Sequence, residues 1–111
     1  MPSRDWQIRI TDILQAIEEI VELTRGMTDV EFAQDIRTVK AVLYNFAVIG
    51  EAARHVPEAV KAQWPQVPWR EMSDMRNVVI HEYFGVDLEI LWETIHQELP
   101  PLLPRLQEML L

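Results

Sequence analysis

Residues 4–25 read RDWQIRITDILQAIEEIVELTR, and the placing of their apolar side chains decides the architecture. Trp6, Ile10, Ile13, Ile17 and Ile20 are separated by four, three, four and three positions, and Leu23 extends the same row. At about 3.6 residues per turn this spacing draws one apolar stripe along a helix, whereas a half-buried strand would alternate with period two. Ser3 is placed to cap the helix by offering a side-chain oxygen to its first N–H groups, and Gly26 is placed to end it. Asp12, Glu18, Glu19 and Glu22 fall at other positions and read as a solvated outer face, to which no function is assigned.

C-terminal to this helix, Thr28 and Glu31 have the spacing of a capping box, which opens a short helix that turns Val30 and Phe32 inward. A second long helix starts near Asp35. In it Ile36, Val39, Val42, Leu43, Phe46, Ile49, Gly50 and Ala53 recur at helical spacing until Pro57, which disfavours helix at the residue before it. Gly50 and Ala53 are small, so a neighbouring helix is expected to approach closely there. Pro57, Pro65 and Pro68 bend the chain around Trp64 and Trp69, whose large rings suit core packing better than base stacking. A further helix runs from Trp69 to Phe84 and stops at Gly85. Asp87 then caps a last one, with a stripe of Leu88, Leu91, Trp92, Ile95, Leu99, Leu102, Leu103, Leu106 and Leu110 that Pro100, Pro101 and Pro104 kink or divide. The reading is all-α: a compact bundle of four to five main helices.

With 111 residues there is room for one core, so residues 1–111 are expected to form a single domain. An apolar fraction of 49% and three glycines argue against disorder. No apolar run approaches the ~20 residues that cross a bilayer, and the protein is expected to stay in the cytoplasm. The absence of cysteine removes disulfides and thiolate metal sites, and His55, His81 and His96 lack the spacing of a metal motif, so neither a metal nor a cofactor is expected. The net charge of −8 runs against the usual nucleic-acid binder, which clusters Lys and Arg to offset phosphate charge. It suits a basic protein partner, a small nucleotide, or an RNA site whose few cations are local.

Chemistry concentrates in residues 75–85, MRNVVIHEYFG, which place Arg76, Asn77, His81 and Tyr83 in an otherwise apolar helix end. Unpaired charge is costly to bury, and Val78, Val79 and Ile80 anchor the segment to the core, so these polar groups are expected to line a concavity. A structural reading also stands, with a satisfied histidine and an arginine paired to a nearby carboxylate. Five residues turn an ideal helix by ~140°, so Arg76 and His81 do not share a stripe. Bringing them together needs a distorted helix, the long arginine stem, or residues from two chains.

The segment resembles the R-x4-H-x-Y signature of HepT-like toxins in the HEPN superfamily, with Arg76, His81 and Tyr83 at the signature positions and Asn77 after the arginine. Residues 45–53, NFAVIGEAA, resemble that family's helix ending in Gly-Glu-Ala. Residues 68–71, PWRE, resemble its entry to the motif helix, and residues 84–88, FGVDL, its exit. The similarity extends over essentially the whole chain.

The resemblance implies a metal-independent RNA endonuclease, active as a homodimer in which two copies of the motif face one cleft. In that scheme His81 is the general acid or base for attack of a ribose 2′-OH on the adjacent phosphate, and Arg76 holds the phosphate and stabilises its transition-state charge. Asn77 and Glu51 have supporting places, Asn77 orienting His81 or the phosphate and Glu51 orienting Arg76. Tyr83 has two places in the scheme: it stacks on a base or positions RNA, and it matches the residue that accepts AMP from a cognate MntA-like nucleotidyltransferase antitoxin, a modification that would block the phosphate site by bulk and charge. A competing expectation is a non-catalytic helical adapter that binds a nucleotide or serves a minimal nucleotidyltransferase. The acidic composition favours the adapter, and the Arg, His and Tyr favour the nuclease.

Overall fold

Helix α1 (Trp6–Thr24) begins where Asp5 accepts a hydrogen bond from the Gln7 N–H at 3.0 Å, so Asp5 supplies the cap in the structure. A computed structural model describes residues 5–81, with 78–81 as backbone, and residues 87–111; Ser3, the expected cap, lies outside them. The predicted stripe is the buried one, with Ile10, Ile13, Ile17 and Ile20 removed from solvent. Gly26 takes φ +76°, the left-handed conformation that lets the chain leave the helix without a Cβ clash.

Helix α2 (Asp29–Gln34) opens on the expected capping box: Thr28 Oγ1 accepts from the Glu31 N–H at 3.1 Å, and the Glu31 carboxylate accepts from the Thr28 N–H at 2.9 Å. Only half of the inward reading holds here. Phe32 is fully buried and its ring lies 5.3 Å from that of Trp92, whereas Val30 is exposed, because a helix of six residues buries one narrow face.

Helix α3 (Ile36–Arg54) is the central element, packed on α1 along one side and on α5 (Trp69–His81) along the other. Asp35 caps it through the Thr38 N–H, and that hydrogen bond, with help from the Thr38 hydroxyl and Arg37, holds the Asp35 carboxyl below its ordinary range. Ile36 departs from the expected stripe; it occupies the first turn and faces solvent, while Val39, Val42, Leu43, Phe46 and Ile49 are buried.

Between α3 and α5, the proline-bounded segment contains the short α4 (Glu58–Gln63). Trp69 is buried and its indole N–H donates to the Trp64 carbonyl at 3.0 Å, so this ring serves packing. Described helix in α5 ends at His81; Phe84 and Gly85, the expected last residue and stop, lie outside the described residues.

The last stripe is divided. Asp87 caps α6 (Leu88–Glu93) through the Glu89 and Ile90 N–H groups, a single π-helical stretch follows over Thr94–Glu98, and α7 (Leu102–Glu108) completes the chain. Pro100 and Pro101 lack N–H donors and their rings crowd the preceding turn, and the chain responds by widening it, with the Leu99 N–H reaching the Thr94 carbonyl at 3.1 Å. Leu91, Ile95, Leu99, Leu102 and Leu106 stay in the core. Met109, the C-cap residue of α7, is buried as its last member, and Leu110, one position further on, is exposed. The Arg105 guanidinium donates to the Gln66 carbonyl at 3.1 Å and ties α7 to the proline segment. No strand occurs among the described residues, and the fold is the all-α bundle that the apolar periodicity predicts.

Candidate functional site

The meeting of α3 and α5 is set by one missing side chain. A Cβ built on Gly50 would lie 2.5 Å from the Arg76 backbone nitrogen and 2.6 Å from the Arg76 Cβ, closer than packed carbon atoms come. Glycine therefore allows α5 to rest directly on α3 at the level of Arg76, which gives the expected close approach its place and its partner.

Two consequences follow for the neighbouring residues. Ala53 and Ala52 are buried beside this contact, and Glu51 emerges where the Arg76 stem leaves α5. The Arg76 Nε lies 2.8 Å from Glu51 Oε2, joining the two helices by an ion pair. That carboxylate oxygen is sealed from solvent and has no aligned hydrogen bond, so the pair rests on charge proximity more than on a well-directed N–H···O contact. Glu51 also has Arg54 Nη1 at 3.9 Å and His55 Nδ1 at 3.5 Å, and so stands among three basic side chains. Pairing through Nε leaves the Nη edge of the Arg76 fork to other partners, and the Arg76 side chain keeps 34% of its surface exposed.

This exposed part faces a cleft of about 410 Å³ between α1, α3 and α5, lined by Arg9, Asp12, Tyr44, Ala47, Val48, Glu51, Ala52 and Arg76. A smaller hollow of about 190 Å³ continues it along α1 and α3, past Asp12, Gln15, Glu19, Tyr44 and Asn45. The Asn45 side chain is buried, and its amide donates to the Ala41 carbonyl at 3.0 Å. The floor of the main cleft is apolar and its cationic groups are guanidinium groups from two different helices. Such a surface can hold an anion whose remaining parts are flat or apolar.

Of the residues singled out in the sequence, Arg76 and Glu51 are brought together and open on the cleft. Asn77 is exposed on α5 next to Arg76. His81 is the last described residue of α5, placed there by its backbone, and Tyr83 lies outside the described residues. Arg9 and Tyr44 were not anticipated as cleft residues. Their signal was faint: Arg9, Asp12, Ala16 and Glu19 form a second row at helical spacing beside the apolar stripe, and Tyr44 and Val48 lie two turns and one turn before Glu51 and Ala52. Among the described residues, no three His, Asp or Glu side chains gather as a metal site.

Comparison with known proteins places residues 13–109 in the family described as Ribonuclease HepT-like. The chain belongs to this family. Relatives of the HepT-like ribonuclease include a protein of Thermococcus cleftensis named as a probable ribonuclease HepT, 40% identical over 107 residues, which span 96% of this chain and 97% of the relative. A protein of Methanocaldococcus jannaschii, provisionally named an RNase, is 37% identical over 110 residues, covering 99% and 91% of the two chains. Another provisional RNase, from Caldanaerobacter subterraneus subsp. tengcongensis, is 38% identical over 98 residues, with 88% of each chain covered. No solved structure matches this HepT-like chain significantly. The Gly50-Glu51-Ala52 sequence acquires a physical sense here: Gly50 admits α5, Glu51 pairs with Arg76, and Ala52 is buried and lines the cleft.

Proposed function

We propose that this HepT-like ribonuclease is a metal-independent RNA endonuclease in which Arg76 holds the scissile phosphate and His81 transfers the proton. The observation that carries the reading is the Arg76 guanidinium, paired through Nε with Glu51 at 2.8 Å while Arg76 lines the cleft. An arginine held by one carboxylate is already oriented, so its free edge meets a phosphate without a large loss of side-chain freedom.

In the reaction a base removes the proton of a ribose 2′-OH, the 2′-oxygen attacks phosphorus, and the bond from phosphorus to the 5′-oxygen breaks. The leaving 5′-oxygen takes a proton, and the products are a 2′,3′-cyclic phosphate and a 5′-hydroxyl. Imidazole titrates near neutrality and suits either proton transfer, while the guanidinium offsets the charge that builds on the nonbridging oxygens. Asn77 orients the phosphate or His81. The active form is a homodimer, which answers the ~140° that separates Arg76 from His81 around an ideal helix by letting two copies complete one cleft. The enzyme is the toxin of a toxin-antitoxin pair, silenced when a nucleotidyltransferase attaches AMP to Tyr83.

The deciding experiment is cleavage of RNA by the purified protein in EDTA. Activity persists in the chelator and is lost in both Arg76→Ala and His81→Ala at unchanged helicity. An RNA left intact by the wild-type dimer, with or without divalent metal, refutes the nuclease and leaves the nucleotide-binding adapter that the acidic composition favours. Co-expression with the partner transferase shifts the mass of the chain by AMP units located on Tyr83. AMP found on another residue removes Tyr83 from the switch.

A further inference from the structure

Arg9 has no place in the scheme above, yet it lines the same cleft as Arg76. Its Nε is sealed from solvent and has no hydrogen-bond partner. A charged N–H withdrawn from water without an acceptor is unfavourable, and native proteins leave few such groups without a reason. Arg9 also lines the cleft, so an anion held there would balance the charge that the rest of the guanidinium brings to it.

The surroundings narrow the kind of anion. Ala47, Val48 and Ala52 give the cleft an apolar floor, and the Tyr44 ring, 69% exposed, stands on its lip. Asp12, three residues after Arg9 on α1, has an interaction of its own, and Glu51 is drawn toward Arg76, Arg54 and His55. Two guanidinium groups beside an aromatic ring and an apolar floor match a nucleotide: phosphate for the cations, a base for the ring.

We propose that Arg9 and Tyr44 form a second nucleotide subsite in the cleft, in which Arg9 binds the phosphate next to the one held by Arg76 and Tyr44 stacks on its base. The assignment of the first phosphate to Arg76 rests on the nuclease reading. The subsite itself rests on the unpaired Arg9 donor and the exposed ring. It follows that the enzyme grips single-stranded RNA over at least two nucleotides and handles an isolated dinucleotide monophosphate poorly.

The test is binding of an uncleavable 2′-O-methyl RNA hexamer to the full-length protein, followed by fluorescence anisotropy over a range of salt. Arg9→Met, which retains the length of the stem, weakens binding by about tenfold or more, as expected for loss of a charge-assisted phosphate contact. It also lowers the slope of log K against log salt by about 0.7, the value for one phosphate contact on a single strand. Arg9→Lys keeps the slope, Tyr44→Phe keeps the affinity, and Tyr44→Ala loses several-fold in affinity at an unchanged slope.

Because Arg9 Nε has no partner in the free protein, Arg9→Met melts at or above the wild-type temperature. A variant melting well below it marks Arg9 as structural and overturns the subsite. So do wild-type affinity and slope in Arg9→Met, or a wild-type protein that fails to bind the hexamer. The two readings fail separately: Arg9-dependent binding with no RNA cut sinks the nuclease alone, and Arg76-dependent cutting indifferent to Arg9 sinks the subsite alone.

Discussion

Gly50→Ala is the sharpest probe of how the fold positions the site. The new methyl carbon would lie 2.5 Å from the Arg76 nitrogen, 2.6 Å from its Cβ and 3.0 Å from its Cα. Ordinary contact begins near 3.4 Å, so α5 must withdraw by roughly 0.9 Å, and no rotamer can relieve a clash with backbone. Overpacking of this kind costs about 1–3 kcal/mol, and replacing glycine by alanine inside a helix returns about 1 kcal/mol. With the clash on backbone atoms the upper end applies, and the net loss is about 2 kcal/mol. For a chain of 111 residues that corresponds to a melting temperature lower by about 8 °C.

On the proposed nuclease reading activity falls further than stability, because the same movement carries Arg76 away from Glu51 and from the phosphate that it is proposed to hold. A displacement near 1 Å at a reacting group can reduce the rate about a hundredfold. The assay pairs thermal denaturation with RNA cleavage measured well below the transition, normalised to folded protein. A variant at least as stable as wild type refutes the packing of α5 on Gly50. A destabilised variant that cuts RNA normally refutes the link from that packing to the site.

Other outcomes follow from single contacts. Glu51→Gln removes the charge that orients Arg76; since both side chains are more than a third exposed, stability changes by less than about 1 kcal/mol, while kcat falls and KM changes less. Kinetics showing a KM effect alone would assign Glu51 to binding. Asp35 has a folded-state pKa below its ordinary 3.8, because the Thr38 N–H and hydroxyl favour the carboxylate. Its contribution is therefore complete above that ordinary value and disappears as pH falls through the lower folded value, and Asp35→Asn flattens the acid limb of the stability profile. Identical acid limbs for the two proteins, measured by urea denaturation from pH 5 to pH 2, would contradict the cap. Phe32→Ala empties a fully buried ring site beside Trp92 and lowers stability by about 3–5 kcal/mol; a loss below 1 kcal/mol would mean that α2 does not dock.

Much of the fold was legible because one physical signal repeats in it. Ile10, Ile13, Ile17 and Ile20, and later Val39, Val42, Phe46 and Ile49, return to the same side of a helix, and burial of that side is the main source of stability. Caps were equally local: the Thr28 and Glu31 pair and Asp87 satisfy N–H groups within three residues of themselves. The readings that needed correction lie at ends. Val30, Ile36 and Leu110 are apolar and nominally in phase, but a first turn or a terminus has no neighbouring element to cover them. The π-helical stretch at Thr94–Glu98 eluded the periodicity for a related reason, since two consecutive prolines constrain the turn before them without altering the apolar count.

The site divides along the same line. The order of residues sufficed to single out Arg76, Asn77, His81, Tyr83 and Glu51, because their types and spacing resemble a family pattern. Sequence also anticipated that small residues at Gly50 and Ala53 would admit a neighbour. The resemblance also offered Glu51 as the partner of Arg76, and the two are paired. Tertiary structure alone decided that the neighbour is the Arg76 backbone and that Arg9 and Tyr44 share the Arg76 cleft. Hydrophobic periodicity records which side of each helix avoids water. Which polar groups from separate helices meet depends on their axial offset and rotation, and these are set only when the helices pack.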